Sequence, residues 1–596
     1  MECILYTSFT VYQDSLPDLV SRFSDHFLKK VTDIRASLDD VAFCSSATAT
    51  ADADVSSDVP SFSSFECVSV CEIAALIKEC PSKSSSRDPI PTSLLKKFAD
   101  VLAVPIASIV NLSLSSGILP GEMKLAFVSP LLKKPSLCVD DLNNYRPVSL
   151  LSFLSKLVER VVAKQLSSHL LAGDLYVPVQ SAYRPNHSTE TELLKVFNDL
   201  LLSVDSGDAA VLALLDQSAA FDTIDHSILL SRLTRRFGIT GSVLTWFRSY
   251  LYDQSVSISG VTSAAVYLSF GVPQGSVLGP VLFTLYNSPI HSISLKHGVT
   301  DHYYADDDQK YVSFHLTPDY SEQRRAFSTL SACVGETKQW MAENRIKFND
   351  SKSDAIVVYS KTSRCKPADF PLAIGDASIT PSDSVRNLGI TIDKHLTMHL
   401  QINKTCRSAL FHLRRIARIR KFLSRSAAVQ LVSAFVLSHI DYGNSLLAGL
   451  PSSRLEPIKK VLYAAARVVT GARRRDAMTP HLRELHWLPV PYRVDFKIAV
   501  LTYRCLNRCA PSYLSSLISR RVVDGRGGRV LRSSVAPSAL YDLVPPSIHV
   551  KSYGNRAFSN YAPTVWNKLP VSVRSASSLP RFRTALKTHF FRIAYK

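Results

Sequence analysis

The segment Asp208–Leu215 (DAAVLALL) constrains this chain more than any other: an apolar run that stops immediately before Asp216. A short run of this kind reads as a strand buried in a core. A carboxylate at the end of such a strand needs a counter-charge, because an unpaired buried charge is expensive. Further along, Asp301–His315 (DHYYADDDQKYVSFH) reads as a strand, a tight acidic turn and a second strand, with Asp306 and Asp307 in the turn. An isolated Asp-Asp pair usually marks a solvated turn. An acid at a strand end plus an acid pair in a hairpin is more specific, because strand–turn–strand geometry can aim both at one point. Mg²⁺ is a hard cation that binds through one or two carboxylates plus substrate phosphates. Two such ions can activate a hydroxyl and stabilise leaving pyrophosphate during in-line phosphoryl transfer.

Three further segments lie in order around these acids. Phe221 stands five residues after Asp216, in DQSAAFD. Beneath the sugar of an incoming nucleotide, an aromatic would clash with a 2′-hydroxyl and favour dNTPs; an ordinary core Phe is the alternative. Ser269–Phe283 (SFGVPQGSVLGPVLF) specifies a bent loop running into an apolar helix, its glycines allowing close approach to nucleotide and template. Lys352, in Asn349-Asp350-Ser351-Lys352, is placed to protonate or stabilise a leaving pyrophosphate. A surface lysine in a turn is an equally open reading.

Composition sets the frame for these motifs. A chain of 596 residues, 46% hydrophobic, exceeds one core and is too apolar for disorder. The net charge of +19 is unevenly spread. Lys404–Lys596 holds 34 Lys and Arg against seven acids, a local +27, and leaves −8 for the rest. That split suggests a polyanion partner on the basic side, a solvated basic surface being the plainer alternative. The 11 cysteines follow no disulfide or zinc spacing, which fits a reducing compartment. MECILYTSFTVY lacks the features of a signal peptide. Val101–Gly121 carries no charge over membrane-spanning length, but Pro105, Asn111 and its serines point to a buried helix ending in a turn.

Apolar spacing predicts an amphipathic helix over Leu16–Leu38, and Cys44–Phe65 reads as a Ser-rich linker. Tyr320–Asn344 has helical periodicity, and Asp354–Tyr359 is strand-like. After Leu400, helices are expected over Gln401–Phe422, Ser426–Leu447 and Leu455–Thr470. The last hundred residues, rich in Pro, Ser and Arg, give no clear pattern.

Taken in order, DQSAAFD, GVPQGSVLGP, YADD, NDSK and NLGI (Asn387–Ile390) resemble motifs A to E of reverse transcriptases. NNYRPVSLLSFLSKLVERVV, QSAYRPNHSTETELL, FDTIDH and WMAENRIKFNDSKSD narrow this to LINE-type, non-LTR retrotransposon enzymes, most similar to jockey-like animal elements. DYGNSLLAGLP, AAARVVTGARRRD, TPHLRELHWLPV and YAPTVWNKLP resemble the tails of these elements, so the likeness runs from about Lys83 to the end.

The resemblance implies an α+β right-hand polymerase: fingers, a palm with an antiparallel sheet, and a helical thumb, followed by a mostly helical basic region. It divides the chain into an N-terminal helix and linker (1–82), fingers and palm (83–385), primer grip and thumb (386–475) and a basic C-terminal region (476–596). Asp216, Asp306 and Asp307 become the catalytic metal triad for two Mg²⁺ ions, with Mn²⁺ as a substitute. Phe221 becomes the sugar gate, Gln274 and Gly275 the template–nucleotide loop, and Lys352 the general acid. Arg146 becomes the residue that grips the triphosphate, assisted by Lys133 or Lys134. The implied partners are template RNA, a DNA primer or target and dNTPs, with no membrane. The implied location is intracellular, in nucleus and cytoplasm as a ribonucleoprotein.

Four residues depart from the pattern. Asp308 replaces a usual Thr, Lys310 a usual apolar residue, Gln217 a usual Leu and Ala182 a usual Gly. An extra acid beside the metal site would raise the pKa of its neighbours. About 80 residues precede the polymerase region, too few for the N-terminal endonuclease that relatives carry, so nicking is expected to come from elsewhere. The competing expectation is a decayed, inactive nucleic-acid-binding remnant.

Overall fold

The computed structural model describes residues 16–43, 59–82, 88, 90–252, 255–258, 266–267, 270–374, 377–520 and 542–596. Most of the expected linker, Cys44–Phe65, lies outside the described residues. The chain divides into two compact units. The first combines Met1–Val177, Asp216–Lys296 and Val334–Asn349; the second combines Pro178–Leu215, His297–Cys333 and Asp350–Lys596.

In the first unit, the amphipathic pattern near the N-terminus becomes a helix over Leu16–Phe43. Leu19, Val20 and Phe23 pack on Val128 and Tyr145, and Ile34 and Leu38 on Ala342. Arg35 pairs with Asp225 at 2.7 Å and lies 3.6 Å over the Phe270 ring. The strand Leu125–Leu132 is flanked by Tyr145–Leu150, antiparallel, and Ser255–Ile258, parallel; Val266–Tyr267 completes the sheet.

The uncharged segment forms the helix Ala99–Ser116, stopped by Gly117 in the left-handed conformation. The expected burial holds on one face only. Ala103, Val110 and Leu114 are buried, whereas Val101 and Leu112 are 71% and 69% exposed. Apolar residues all round the helix make it read as buried, although only one face packs. Among the described residues it is the one helix long and apolar enough to cross a membrane by length and composition.

In the second unit, Ala209–Leu215 is a buried central strand, as its apolar run predicts. It pairs antiparallel with Asp354–Val358 on one side and Asp307–Phe314 on the other, and Thr300–Tyr304 closes the edge. The helix Thr189–Asp205 packs on this sheet through Leu193, Phe197 and Leu200. Its start is fixed by a reciprocal cap: Thr191 N–H donates to the Ser188 hydroxyl at 3.2 Å, and Ser188 N–H to Thr191 Oγ1 at 2.9 Å.

The NLGI turn joins two short strands, Ser384–Asn387 and Ile390–Asp393. Helices then follow close to the expected spans: His399–Ile419, Arg425–Val432 continuing through a π-helical turn into Ser438–Asp441, and Ser452–Thr470. The region that gave no clear pattern contributes Val490–Leu506, Phe558–Asn567 and Leu579–Ala594. One continuous core joins these helices to the Thr189–Asp205 helix and the sheet.

Candidate active site

The register of the second unit's sheet fixes the acidic turn. Tyr304 pairs with Asp307 across the hairpin, leaving Ala305 and Asp306 as its two-residue loop. Asp308 pairs with Leu215, the last residue before Asp216 in the chain. The hairpin therefore brings its acids level with the end of the core strand. Ala305 has φ +60°, a left-handed conformation costly for a residue with a Cβ. Gln180 holds it there: its Oε1 accepts from Ala305 N–H at 3.2 Å and from Ala182 N–H at 2.9 Å. The backbone around Gln180 lies along Thr300–Tyr304, with Ser181 N–H donating to Tyr303 O at 2.8 Å and Tyr303 N–H to Val179 O at 3.1 Å. Tyr183, in the same QSAYR segment, has its phenol pKa raised by burial and then by the charges of Asp306 and Asp307.

Asp308 and Lys310 explain each other. They point to the same side of their strand, and their side chains are 1% and 0% exposed with Nζ 3.3 Å from Oδ2. The lysine also donates to the Tyr303 hydroxyl at 3.3 Å, and that hydroxyl donates to Asp301. Burial pushes Asp308 up to about 6, with Lys310 opposing. Burial also disfavours the Lys310 cation, but Asp308 and Asp301 outweigh it and leave its pKa above the ordinary value. The expected extra acid beside the Asp306–Asp307 pair is thus turned inward, alternating away from the exposed Asp307, and its charge is met by the other departure.

On the opposite side of that strand runs a buried polar chain. Gln309 Nε2 donates to Glu192 Oε1 at 2.5 Å, and Asn387 Nδ2 donates to Gln309 Oε1 at 2.6 Å. It ties the acidic hairpin to the NLGI turn, and burial holds the Glu192 carboxyl well above its ordinary pKa.

In the first unit, Asp216 is held twice by one residue: Asn349 Nδ2 donates to its Oδ2 at 2.8 Å and Asn349 N–H to its carbonyl at 3.0 Å. The short strands Gln217–Ser218 and Lys347–Phe348 pair beside this contact. Gln217, another departure, is buried and accepts from Asn287 at 3.2 Å.

Phe221 stacks on Phe283, ring centroids 4.9 Å apart, and its carbonyl accepts from Val272 N–H at 2.9 Å. Gln274 donates to both oxygens of Asp222 at 3.0 and 3.1 Å, and burial raises the Asp222 pKa to about 6. The glycines in this loop serve the protein itself. A Cβ on Gly271 would lie 2.8 Å from Asp222 O, and one on Gly275 2.7 Å from Ser149 O, both at positive φ. Close approach to neighbouring backbone thus already excludes a side chain at both positions. Ser149 N–H also donates to Gln274 O at 2.7 Å, joining the loop to the Tyr145–Leu150 strand. From below, Glu159 Oε2 accepts from Val277 and Leu278 N–H at 2.7 and 3.0 Å.

Arg146 is exposed on that strand, paired in register with Leu131. Lys133 and Lys134 are exposed just beyond the strand end, with Lys133 Nζ donating to Asn143 O at 2.6 Å. Lys352, exposed, ends the 3₁₀ turn Asp350–Lys352.

The site residues are set by backbone features that single motifs could not carry: a strand register, a strained turn, and two pinned segments. Residues 132–392 match the family profile described as "Reverse transcriptase (RNA-dependent DNA polymerase)". The RNA-directed DNA polymerase from mobile element jockey of Drosophila melanogaster is 26% identical over 68% of this chain and 44% of its own length. The probable RNA-directed DNA polymerases from transposon BS and transposon X-element of the same organism are 26% and 25% identical. They align over 78% and 67% of this chain and 51% and 44% of their own lengths. The chain contains a reverse transcriptase domain and is similar to the enzymes of LINE-type, non-LTR retrotransposons. It spans about half the length of the curated relatives it matches. The matched span contains all ten candidate site residues. Gln180, Asn349, Glu159 and the Asp308–Lys310 pair were not among them. Gln180 and Asn349 stand inside quoted motifs, QSAYR and NDSK, which was the available signal.

Proposed function

We propose that this chain is an RNA-directed DNA polymerase that extends a DNA 3′-end on an RNA template. The observation that carries the reading is the register that sets Asp308 opposite Leu215, bringing the Asp306–Asp307 turn level with the strand end that leads into Asp216. Asp216, Asp306 and Asp307 would hold Mg²⁺, or Mn²⁺ in its place. The fit rests on their chemistry: hard carboxylate oxygens, Asp216 and Asp306 partly exposed and Asp307 exposed. Among the described residues no group of three or more His, Cys, Asp or Glu side chains, these three included, is gathered closely enough to hold a metal ion. Mg²⁺ does not require a protein-only cage, since substrate phosphates complete its shell. When bound, the metal supplies charge stabilisation and activation of the attacking hydroxyl.

The chain's own residues do the remaining work in this reading. Asn349 orients Asp216, and Gln180 holds the turn that carries Asp306. Phe221, braced by Phe283, excludes a 2′-hydroxyl, while Gln274 and Gly275 seat the templating base. Arg146, with Lys133 or Lys134, draws in the triphosphate, and Lys352 gives a proton to the leaving pyrophosphate. Fingers and palm occupy 83–385, primer grip and thumb 386–475, and the basic C-terminal region 476–596. Template RNA, a DNA primer or target and dNTPs are the partners, in an intracellular ribonucleoprotein.

Purified protein with a primed RNA template and Mg²⁺ or Mn²⁺ should incorporate dNTPs in preference to rNTPs. Asp216→Ala and Asp306→Ala should each abolish incorporation, and activity surviving either change sinks the assignment. RNA binding without any incorporation by the unmodified chain would establish the remnant reading instead.

A further inference from the structure

The helix His399–Ile419 and the segment after it carry an unusual surface. From His399 to Ile440 the sequence holds eight Lys and Arg and no acid. Two of these are engaged: Arg420 donates to the carbonyls of Leu423, Val468 and Val469, and Arg425 pairs with Glu484. Lys404, Arg407, Arg414, Arg415, Arg418 and Lys421 are exposed, and no ion pair engages them among the described residues. Most fall at helical spacing on one stripe, interrupted by Phe411, with Phe422 just beyond the helix end.

Aromatic rings on and beside this stripe are exposed or half-buried and ordered relative to one another. Phe411 is 55% exposed, Phe422 77% and Phe435, on the following helical segment, 47%. The His412 ring stacks on Phe435 at 5.7 Å and 25°, and on His439 at 5.3 Å and 18°, while Phe411 meets His412 edge-on at 5.3 Å. Arg415 lies 5.6 Å from the Phe411 centroid and Lys421 4.9 Å from that of Phe422. A duplex needs only the cations, because its bases are already stacked. Open rings interleaved with cations provide for bases that are unstacked, which is how single-strand binders are built.

We infer that this face binds single-stranded RNA, bases stacking on Phe411 and Phe435 while Arg407, Arg415 and Arg418 contact the phosphates. The choice of RNA rests on the proposed function, in which an RNA strand must be held unpaired until it is copied.

The test is fluorescence anisotropy with the full chain and four probes: an unstructured RNA oligonucleotide, DNA of the same sequence, an RNA–DNA duplex and inorganic polyphosphate. Phe411→Ala and Phe435→Ala should each weaken RNA binding roughly tenfold, the scale of one lost base stack. Duplex and polyphosphate binding should not change, and Phe411→Tyr should retain RNA affinity. Arg415→Gln should lower the salt slope for RNA by about 0.7, one released phosphate contact. Unchanged RNA affinity, equal loss on polyphosphate, or equal affinity and loss on single-stranded DNA would each overturn the inference. An unmodified chain that binds RNA through these rings yet incorporates no dNTP would refute the polymerase reading and leave the binding site standing.

Discussion

Replacing Glu159 by Gln probes how the loop at Gln274 and Gly275 is held. The Glu159 carboxylate accepts from two successive backbone N–H groups, Val277 and Leu278, at the start of the Gly279–Tyr286 helix, and from the Tyr250 hydroxyl at 3.5 Å. Burial raises its pKa from 4.5 to about 7, the two backbone bonds and Lys156 offsetting only part of that. Between those pH values the folded chain retains a proton that the unfolded chain has released. Stability therefore falls as pH rises through this window and levels off above about 7. At about 1.4 kcal/mol for each pH unit, the gap from 4.5 to about 7 corresponds to roughly 3 kcal/mol. Gln keeps an acceptor for the amides and cannot titrate. Glu159→Gln should therefore gain about 3 kcal/mol on the unmodified chain between pH 4.5 and 8, whatever their difference at acid pH. Urea unfolding read by tryptophan fluorescence suits the measurement, since Trp246 stacks on Tyr250 at 5.5 Å. A difference that stays flat with pH, or one that turns against Gln as pH rises, would refute the reasoning.

Lys310→Met should destabilise the second unit by about 3–5 kcal/mol, because it leaves Asp308 buried without its cation. Combining it with Asp308→Thr should recover most of that loss, and additive losses in the double-mutant cycle would count against the pairing. Gly275→Ala should cost about 1–3 kcal/mol in thermal unfolding, since its Cβ would meet Ser149 O at 2.7 Å with φ at +111°. Asn349→Ala should cut dNTP incorporation roughly tenfold or more through loss of a charged hydrogen bond worth about 1.5–3 kcal/mol. The bond it makes to Asp216 orients a carboxylate rather than filling a core, so the melting temperature should move little.

Much of the fold was legible because its signals are local. The run before Asp216, the acidic hairpin and the NLGI hairpin each carry their own period and turn, and all three form where those signals place them. The helices after Leu400 keep one apolar stripe and appear close to their expected spans. What was not legible depends on partners far apart in the chain. Nothing local says that Gln180 caps a turn at Ala305, or that Asn349 reaches back to Asp216. Asp308 and Lys310 looked like two independent defects because each was weighed alone, whereas together they form one buried ion pair. In and just before the last hundred residues, three helices start directly after Pro489, Pro511 and Pro570. Those prolines are helix-start signals that a loop-like composition concealed.

The charge split acquires a structural reason at this point. Six of the seven acids beyond Lys404 lie among the described residues, and each makes a bond within the fold. Asp441 pairs with Arg493, Glu456 with Lys459, Glu484 with Arg425 and Asp542 with Arg574. Asp476 accepts from Arg473 N–H, and Asp495 from the Tyr561 hydroxyl. Acids from the other side of the charge divide reach into the same region. Glu190 binds Lys497 at 2.7 Å, and Asp205 accepts from the backbone N–H groups of His549, Val550 and Gly554. The basic third is therefore no detachable polycationic arm, since its apolar residues share one core with the helix behind the acidic hairpin. Its few acids serve that packing, and the cations left over are free to face a polyanion. A truncation meant to remove only nucleic-acid affinity would also strip Asp205 and Glu190 of their partners, so charge-neutral surface substitutions on the His399–Ile419 helix are the change that separates binding from folding.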